Sequence, residues 1–447
     1  MNGGKKPGEK RKLPGKRSAE LLKLRNKYVP KAVFQVAPVF IDRGKGAIIE
    51  DVDGNEYIDF VGGICVLNAG QSNEFVISAI KEQLDKHLHA DHNVTMYEVY
   101  MRLAEKLTKI TPGNYQKQVL FSNSGAEGIE NAVKIARRYT GRHGLICFEG
   151  AFHGRTAMTM GLTSQVRNYK YGFGPFDPGI YRFPFAYAYR APFGLSADEY
   201  GEYCVAKIEE SFKSYIASDE VAAIILEPIP GEGGYMVPPK NFIQGLRRIC
   251  DKNGILLIDD EIQVGMGRTG KMWSIENYNV TPDIMVIAKS LGGGIPIAAT
   301  VAKKEYMDAV PLSGLGGTFN GNPVSCAAAL KVLEYYEKEN LLQKAAKFGK
   351  MAMDRLEKMK GKYPVIGDVR GIGCAIGLEV VKDHKTKEPD AQMTSIILKE
   401  CHEHGLIIMS CGAYHNIIRF MFPLVIKEDE LRMGFDILEN ALKAQQK

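Results

Sequence analysis

The sequence predicts an α/β protein: a large domain with a mixed, mostly parallel sheet covered by helices, plus a smaller α+β domain. Three observations predict it. Short, continuously apolar runs recur at LICF (145–148), VAAIIL (221–226), ILLI (255–258) and IMVIA (284–288). Segments with helical apolar spacing, VISAIKEQLDKHL (76–88) and ENAVKIARRY (130–139), alternate with short strand-like runs. The texture then changes after residue 312. Strands that are apolar on both sides need cover on both sides, which parallel strands joined through helices receive.

The elements follow in chain order. Residues 1–31 are rich in Lys, Gly and Pro, and are expected to form a flexible basic extension, loosely ordered until Leu21–Tyr28. They hold 11 of the 58 Lys and Arg, but only Glu9 and Glu20 of the 52 acids. The rest of the chain therefore has 47 basic against 50 acidic side chains, a net of −3. The overall +6 belongs to the extension, and a body of that sign argues against a nucleic-acid partner. Residues 32–70 begin the small domain and contain a hairpin: AIIEDV, a turn at Asp53-Gly54, then EYIDF. Residues 71–312 make the large domain, in which VLF (119–121) leads through a polar turn to the helix that stops before Gly141. Residues 313–447 return to the small domain, with helices over 324–337, 341–360 and 428–445.

Composition excludes several classes. A chain of 447 residues, 45% apolar and 25% charged, is neither disordered nor fibrous. No run approaches the ~18 apolar residues of a membrane span. The extension lacks the apolar core of a signal peptide, so a cytoplasmic location is expected. The eight cysteines form no C-x-x-C pair, so reduced, buried thiols are expected rather than disulfides or a metal site.

Ligands of open α/β sheets gather at the carboxyl ends of strands. After VLF comes Ser122-Asn123-Ser124-Gly125-Ala126-Glu127 and a helix, an arrangement that suits a phosphate or simply an ordinary helix cap. After ILLI comes Asp259-Asp260-Glu261-Ile262-Gln263, either a costly cluster of buried acids or a cap. After IMVIA comes Lys289, followed by Ser290-Leu291-Gly292-Gly293-Gly294. A lysine there is partly desolvated, which frees its amine for imine chemistry; the plainer alternative is a surface lysine. Each plain reading is the stronger one alone. Together they offer a phosphate cradle, a buried carboxylate and a nucleophilic amine, the set that pyridoxal 5'-phosphate requires.

The order and spacing of seven stretches then carry a resemblance. They are SNSGAEGIENAVKIAR (122–137), FHGRT (152–156), EPIPGEGG (227–234), IDDEIQVGMGRTG (258–270), PDIMVIAKSLGGGIP (282–296), GGTFNGNP (316–323) and IIRF (417–420). The chain resembles the class III pyridoxal-phosphate-dependent aminotransferases of fold type I, the family of 4-aminobutyrate, ornithine and acetylornithine aminotransferases. The resemblance implies that Lys289 binds the cofactor covalently and moves the proton, and that Asp260 faces the ring nitrogen. Gln263 stands near the phenolic oxygen. Phe152 and Ile262 flank the ring, and Ser124, Gly125 and Ala126 hold the phosphate. His153 and Glu227 are further cofactor-binding positions. Thr318 serves the neighbouring subunit's phosphate, which implies a homodimer. Arg419 is the implied clamp for the carboxylate of 2-oxoglutarate or glutamate. Arg155 corresponds to the residue that grips a distal carboxylate, Glu232 to the acid that shields Arg419, and Ile64 to a substrate contact.

The resemblance thus implies an aminotransferase that moves an amino group from an ω- or β-amino donor, 4-aminobutyrate by default, to 2-oxoglutarate by a ping-pong mechanism. Three departures bear on the donor. Gly70-Gln71-Ser72-Asn73-Glu74 lacks the histidines that many relatives have there. Pro230 replaces the usual Gln. Asp91-His92, in a segment that approaches the partner's pocket, replaces Cys-Phe and suits a larger or more polar donor. A β-amino acyl-coenzyme A thioester held by the basic extension is one alternative. A racemase or epimerase, suggested by VKDHKTKEPD (381–390), is another.

Overall fold

The computed structural model describes residues 4–446. It divides into two compact units, Met1–Asn73 with Gln343–Lys447, and Glu74–Leu342. The second unit runs past the boundary at 312 that the change of texture suggests. The reason is packing: the helix Pro323–Lys338 docks inside this unit, where Tyr336 Oη donates to Met266 O at 2.6 Å.

The Glu74–Leu342 unit is an α/β layer built on seven strands. Their spatial order is Lys117–Ser122, Ala298–Lys303, Ile284–Ile287, Leu256–Asp260, Val221–Leu226, Gly144–Phe148 and Ile180–Phe183. All neighbours are parallel except Ala298–Lys303, which runs antiparallel to both of its neighbours. Every residue of Val221–Leu226, Leu256–Asp260 and Ile284–Ile287 is buried, as strands covered on both faces must be. The helix Gly125–Thr140 supplies much of that cover through Ile129, Ala132, Val133, Ile135 and Ala136. Ser124 caps its start, and left-handed Gly141 closes its end.

The other unit holds two four-stranded sheets. In one, Ile41–Lys45, Ile48–Asp51 and Glu56–Asp59 are antiparallel, and Leu406–Ile407 adds in parallel. The expected hairpin is thus present. In the other, Ile366–Ile372, Ala375–Val380, Ile417–Phe420 and Met409–Cys411 are all antiparallel. Phe60 anchors the core here, with ring centroids 5.3 Å from Phe422 and 5.4 Å from Phe435.

The basic extension corrects the expectation of a loose tail, because residues 4–28 are built onto this unit. Glu56 N donates to Lys5 O and Gly8 N to His404 O. Arg11 is only 5% exposed: its guanidinium donates to the carbonyls of Glu56, Lys6 and Glu9, and lies 4.5 Å over the Tyr57 ring. A helix starts at Lys16, earlier than expected, with the Asp53 carboxylate accepting from Arg17 N and from Ser18 N and Oγ. These hydrogen bonds hold the Asp53 carboxyl below its usual pKa, against the opposing effect of burial. All eight cysteines are buried free thiols. Among the described residues no helix is long and apolar enough to cross a membrane.

Candidate active site

Six of the seven large-unit strands point the same way, so their carboxyl ends share one edge. The candidate residues follow those ends: Ser124 after Lys117–Ser122, Phe152 and His153 after Gly144–Phe148, Glu227 after Val221–Leu226, Asp260 closing its own strand, and Lys289 after Ile284–Ile287.

The acids come first. Asp260 is almost wholly buried, and His153 Nδ1 lies 2.7 Å from its Oδ2. Ile262 N donates to the other oxygen at 3.1 Å. Glu227 closes the cluster, accepting from Phe152 N at 2.9 Å and Gly231 N at 3.0 Å. Burial first, and the Asp260 charge second, push the Glu227 pKa up to about 7. His153 therefore touches Asp260 directly, which gives this expected cofactor residue a place behind the carboxylate.

The turn after Lys117–Ser122 comes close to the same place. Ser124 Oγ accepts from Glu127 N at 3.3 Å, and the helix that begins at Gly125 turns its first N–H groups outward from its own ladder. Gly125 lies close against Ile262: a Cβ there would stand 2.7 Å from Ile262 Cδ1, so a larger residue would push that side chain aside. Gly231 is as tightly placed against Gln263, whose Oε1 would be 1.9 Å from an added Cβ. Ser124, Gly125, Phe152, His153, Glu227, Asp260, Ile262 and Gln263 are thus linked by short contacts.

Lys289 is half-buried, with a left-handed backbone at φ 47°. The strand before it pairs in parallel with that of Asp260, in register Asp260 to Val286, and Glu261 N donates to Val286 O at 2.9 Å. The lysine and the acid thus end adjoining strands. Thr318 is exposed in the turn 317–320, where Asn320 Oδ1 accepts from Asn123 Nδ2 at 3.0 Å. His92 stacks on Tyr100 with centroids 3.9 Å apart, burial lowers its pKa, and Asp91 accepts from Asn93 N and Nδ2. Both residues of that departure are therefore engaged locally.

Arg155 is exposed and meets aromatic faces: its Cζ is 4.6 Å from the Tyr169 centroid and 6.0 Å from that of Phe152. Glu232 accepts from Tyr169 Oη at 3.2 Å. Tyr169 carried no signal in the sequence, being one tyrosine of 21 in an irregular stretch.

Two candidates belong to the other unit. Ile64 lies in a turn in which Gly62, Gly63, Ile64 and Cys65 all have φ between 53° and 63°. That conformation is strained for a β-branched residue. The buried Asp59 carboxylate holds the turn by accepting from Val61 N and Gly62 N, and burial raises its pKa. Arg419 is 1% exposed on Ile417–Phe420, with Nη2 3.7 Å from Met409 Sδ.

The donor set of the large unit fits a phosphorylated pyridine aldehyde. A helix N-terminus with a serine suits the phosphate, a buried carboxylate suits a cationic ring nitrogen, and an amine suits the aldehyde. His153 Nε2 is a buried nitrogen with no hydrogen-bond partner among the described residues, a mark of a polar site rather than of sealed core.

Comparison with known proteins agrees with this chemistry. The family model aminotransferase class-III matches residues 28–442. A 4-aminobutyrate aminotransferase of Escherichia coli is 43% identical over 420 residues, covering 94% of this chain and 97% of that protein. A 5-aminovalerate aminotransferase of Pseudomonas aeruginosa is 45% identical over 423 residues, covering 95% and 98%. The crystal structure of a Bacillus anthracis aminotransferase superposes with a TM-score of 0.90 at 33% identity, covering 97% of this chain and all of that one.

Proposed function

The chain belongs to the class III aminotransferases, enzymes that depend on pyridoxal 5'-phosphate, and from that premise we propose that it moves the amino group of an ω-amino acid to 2-oxoglutarate by a ping-pong mechanism. Both relatives described above are named for ω-amino acids, one carbon apart in length, which supports a donor of the 4-aminobutyrate kind. The observation that carries the reading is the meeting of Asp260 and His153 at 2.7 Å, at the strand end beside the one that leads to Lys289.

In this reading Ser124 and the N–H groups of Gly125 and Ala126 bind the phosphate, and Phe152 and Ile262 enclose the ring. Gln263 serves the phenolic oxygen. The bound cofactor supplies an electron sink for the carbon that bears the nitrogen. Asp260, braced by His153, keeps a negative charge opposite the ring nitrogen. Glu227 fixes the loops of Phe152 and Gly231 through two backbone hydrogen bonds. Lys289 Nζ would be the group that takes the proton from the carbon bearing the donor's amine and carries it during the transfer. Arg155 receives the donor's distal carboxylate and Arg419 that of the keto acid, while Ile64 and Glu232 are further substrate-binding residues. A second copy of the chain supplies Thr318 and the Asp91-His92 segment, which makes the working form a homodimer.

The test separates the two half-reactions. The purified holoenzyme, mixed with 4-aminobutyrate alone, is expected to lose the visible absorbance of its bound cofactor and release one semialdehyde per site; 2-oxoglutarate alone then restores it. No change with any ω-amino acid would reject the donor class. Lys289→Ala should reduce turnover by more than about 10⁴-fold, since the proton carrier and the covalent anchor are lost together. Arg419→Ala should raise the KM for 2-oxoglutarate at least tenfold, because charged hydrogen bonds contribute ~1.5–3 kcal/mol each.

A further inference from the structure

Arg155 has the role of receiving the donor's distal carboxylate in the function proposed above, and the present inference rests on that reading. An arginine can do so only if no protein carboxylate claims it first. Among the described residues Arg155 makes no ion pair, and its recorded neighbours are the rings of Tyr169 and Phe152. Glu232, the acid of the same site, is not bonded to Arg155 but accepts from Tyr169 Oη at 3.2 Å. Tyr169 also meets Phe152 edge to face, with centroids 5.0 Å apart. One side chain therefore touches the ring-stacking residue, the cation and the acid.

We propose that Tyr169 is a positioning residue that keeps Arg155 and Glu232 from neutralising each other and so sets the preference for donors with a carboxylate. Its ring face holds the guanidinium by cation–π attraction, while its hydroxyl occupies the acid by a hydrogen bond. In this proposal the two opposite charges, both in contact with Tyr169, would pair in its absence, and the site would lose the cation that an ω-amino acid needs. The phenol does this without carrying a charge of its own. An aliphatic residue could fill the same space but would hold neither group.

The experiment compares two donors in the first half-reaction of the holoenzyme: 4-aminobutyrate, and n-butylamine, which has the same amine and no carboxylate. Tyr169→Leu is expected to raise the KM for 4-aminobutyrate about tenfold, the order of one lost cation–π contact, with kcat within about twofold. The KM for n-butylamine and that for 2-oxoglutarate should stay within about twofold. Tyr169→Phe keeps the ring but not the hydroxyl, and should recover only part of the 4-aminobutyrate affinity, falling between leucine and the wild type. Equal losses for both amines in Tyr169→Leu, or no loss for either, would overturn the proposal. The visible absorbance of the bound cofactor reports that the site is intact in each variant, and if leucine prevents folding, Tyr169→Met makes the same comparison between donors. A wild-type enzyme indifferent to the two donors would instead reject the donor class itself, while a wild-type preference that survives in Tyr169→Leu would reject only the part played by Tyr169.

Discussion

The strand Leu256–Asp260 ends in two aspartates that are both almost wholly buried, and the two faces of the sheet treat them differently. Successive side chains on a strand point to opposite faces. Asp260 meets His153 Nδ1 and the Ile262 N–H. Among the described residues, neither Asp259 carboxyl oxygen accepts a hydrogen bond from a backbone N–H or a cation, and the side chain that faces it is that of Glu261. Burial, then the Glu261 and Asp260 charges, raise the Asp259 pKa well above the usual aspartate value. Glu261, served by Ser274 Oγ and Ile275 N, is also pushed up by burial, to about 7. Equal burial thus leaves one aspartate with an imidazole and a backbone donor, and pushes the other toward its protonated form. What differs is the donor within reach, not the depth.

Substitutions at the two positions should diverge accordingly. The largest effect is expected from Asp260→Asn, which in the proposed function removes the carboxylate that serves the ring nitrogen and leaves His153 without its acid. It should lower kcat by roughly 10²–10³, since breaking a buried pair costs ~3–5 kcal/mol. A loss below about tenfold in steady-state assays would erase the contrast between the faces. Asp259→Asn should instead leave kcat within about threefold and stabilise the fold above neutral pH. The sign follows from linkage: a carboxyl with a raised pKa lends its stability at low pH and loses it as pH rises. Replacing it should therefore raise the urea unfolding free energy at pH 8, and raise it less at pH 5. A third effect, read in stability alone, belongs to Glu227→Gln. Glu227 is raised from 4.5 to about 7, so the wild-type protein sheds stability as pH climbs through that interval. The variant should flatten that part of the profile by no more than about 1.4 kcal/mol per pH unit. An unchanged slope would mean that Glu227 is already ionised in the fold.

Much of this arrangement is legible in the residues themselves, and the exceptions have physical causes. VAAIIL coincides with Val221–Leu226, because a strand covered on both sides must be apolar throughout. The same uniformity hides which aspartate faces which layer, since alternation carries no information when both faces are dry. AATVAK, the strand Ala298–Lys303, has small side chains and weak propensity, and its place between two stronger strands comes from long-range pairing. Arg11 looks like any other cation in a basic run; its burial depends on carbonyls of Glu56 and on the Tyr57 ring, far along the chain. The small-domain boundary is missed for a similar reason, because the helix Pro323–Lys338 has apolar residues that do not announce which unit they pack against.

The antiparallel strand Ala298–Lys303 has a further consequence. It follows Ile284–Ile287 and lies directly beside it, so the link 288–297, which contains Lys289, is pinned at both ends to adjoining members of one sheet. In the proposed function the main chain at Lys289 is then anchored close by, and the travel that the reaction asks of the amine comes from torsions of its four-carbon stem.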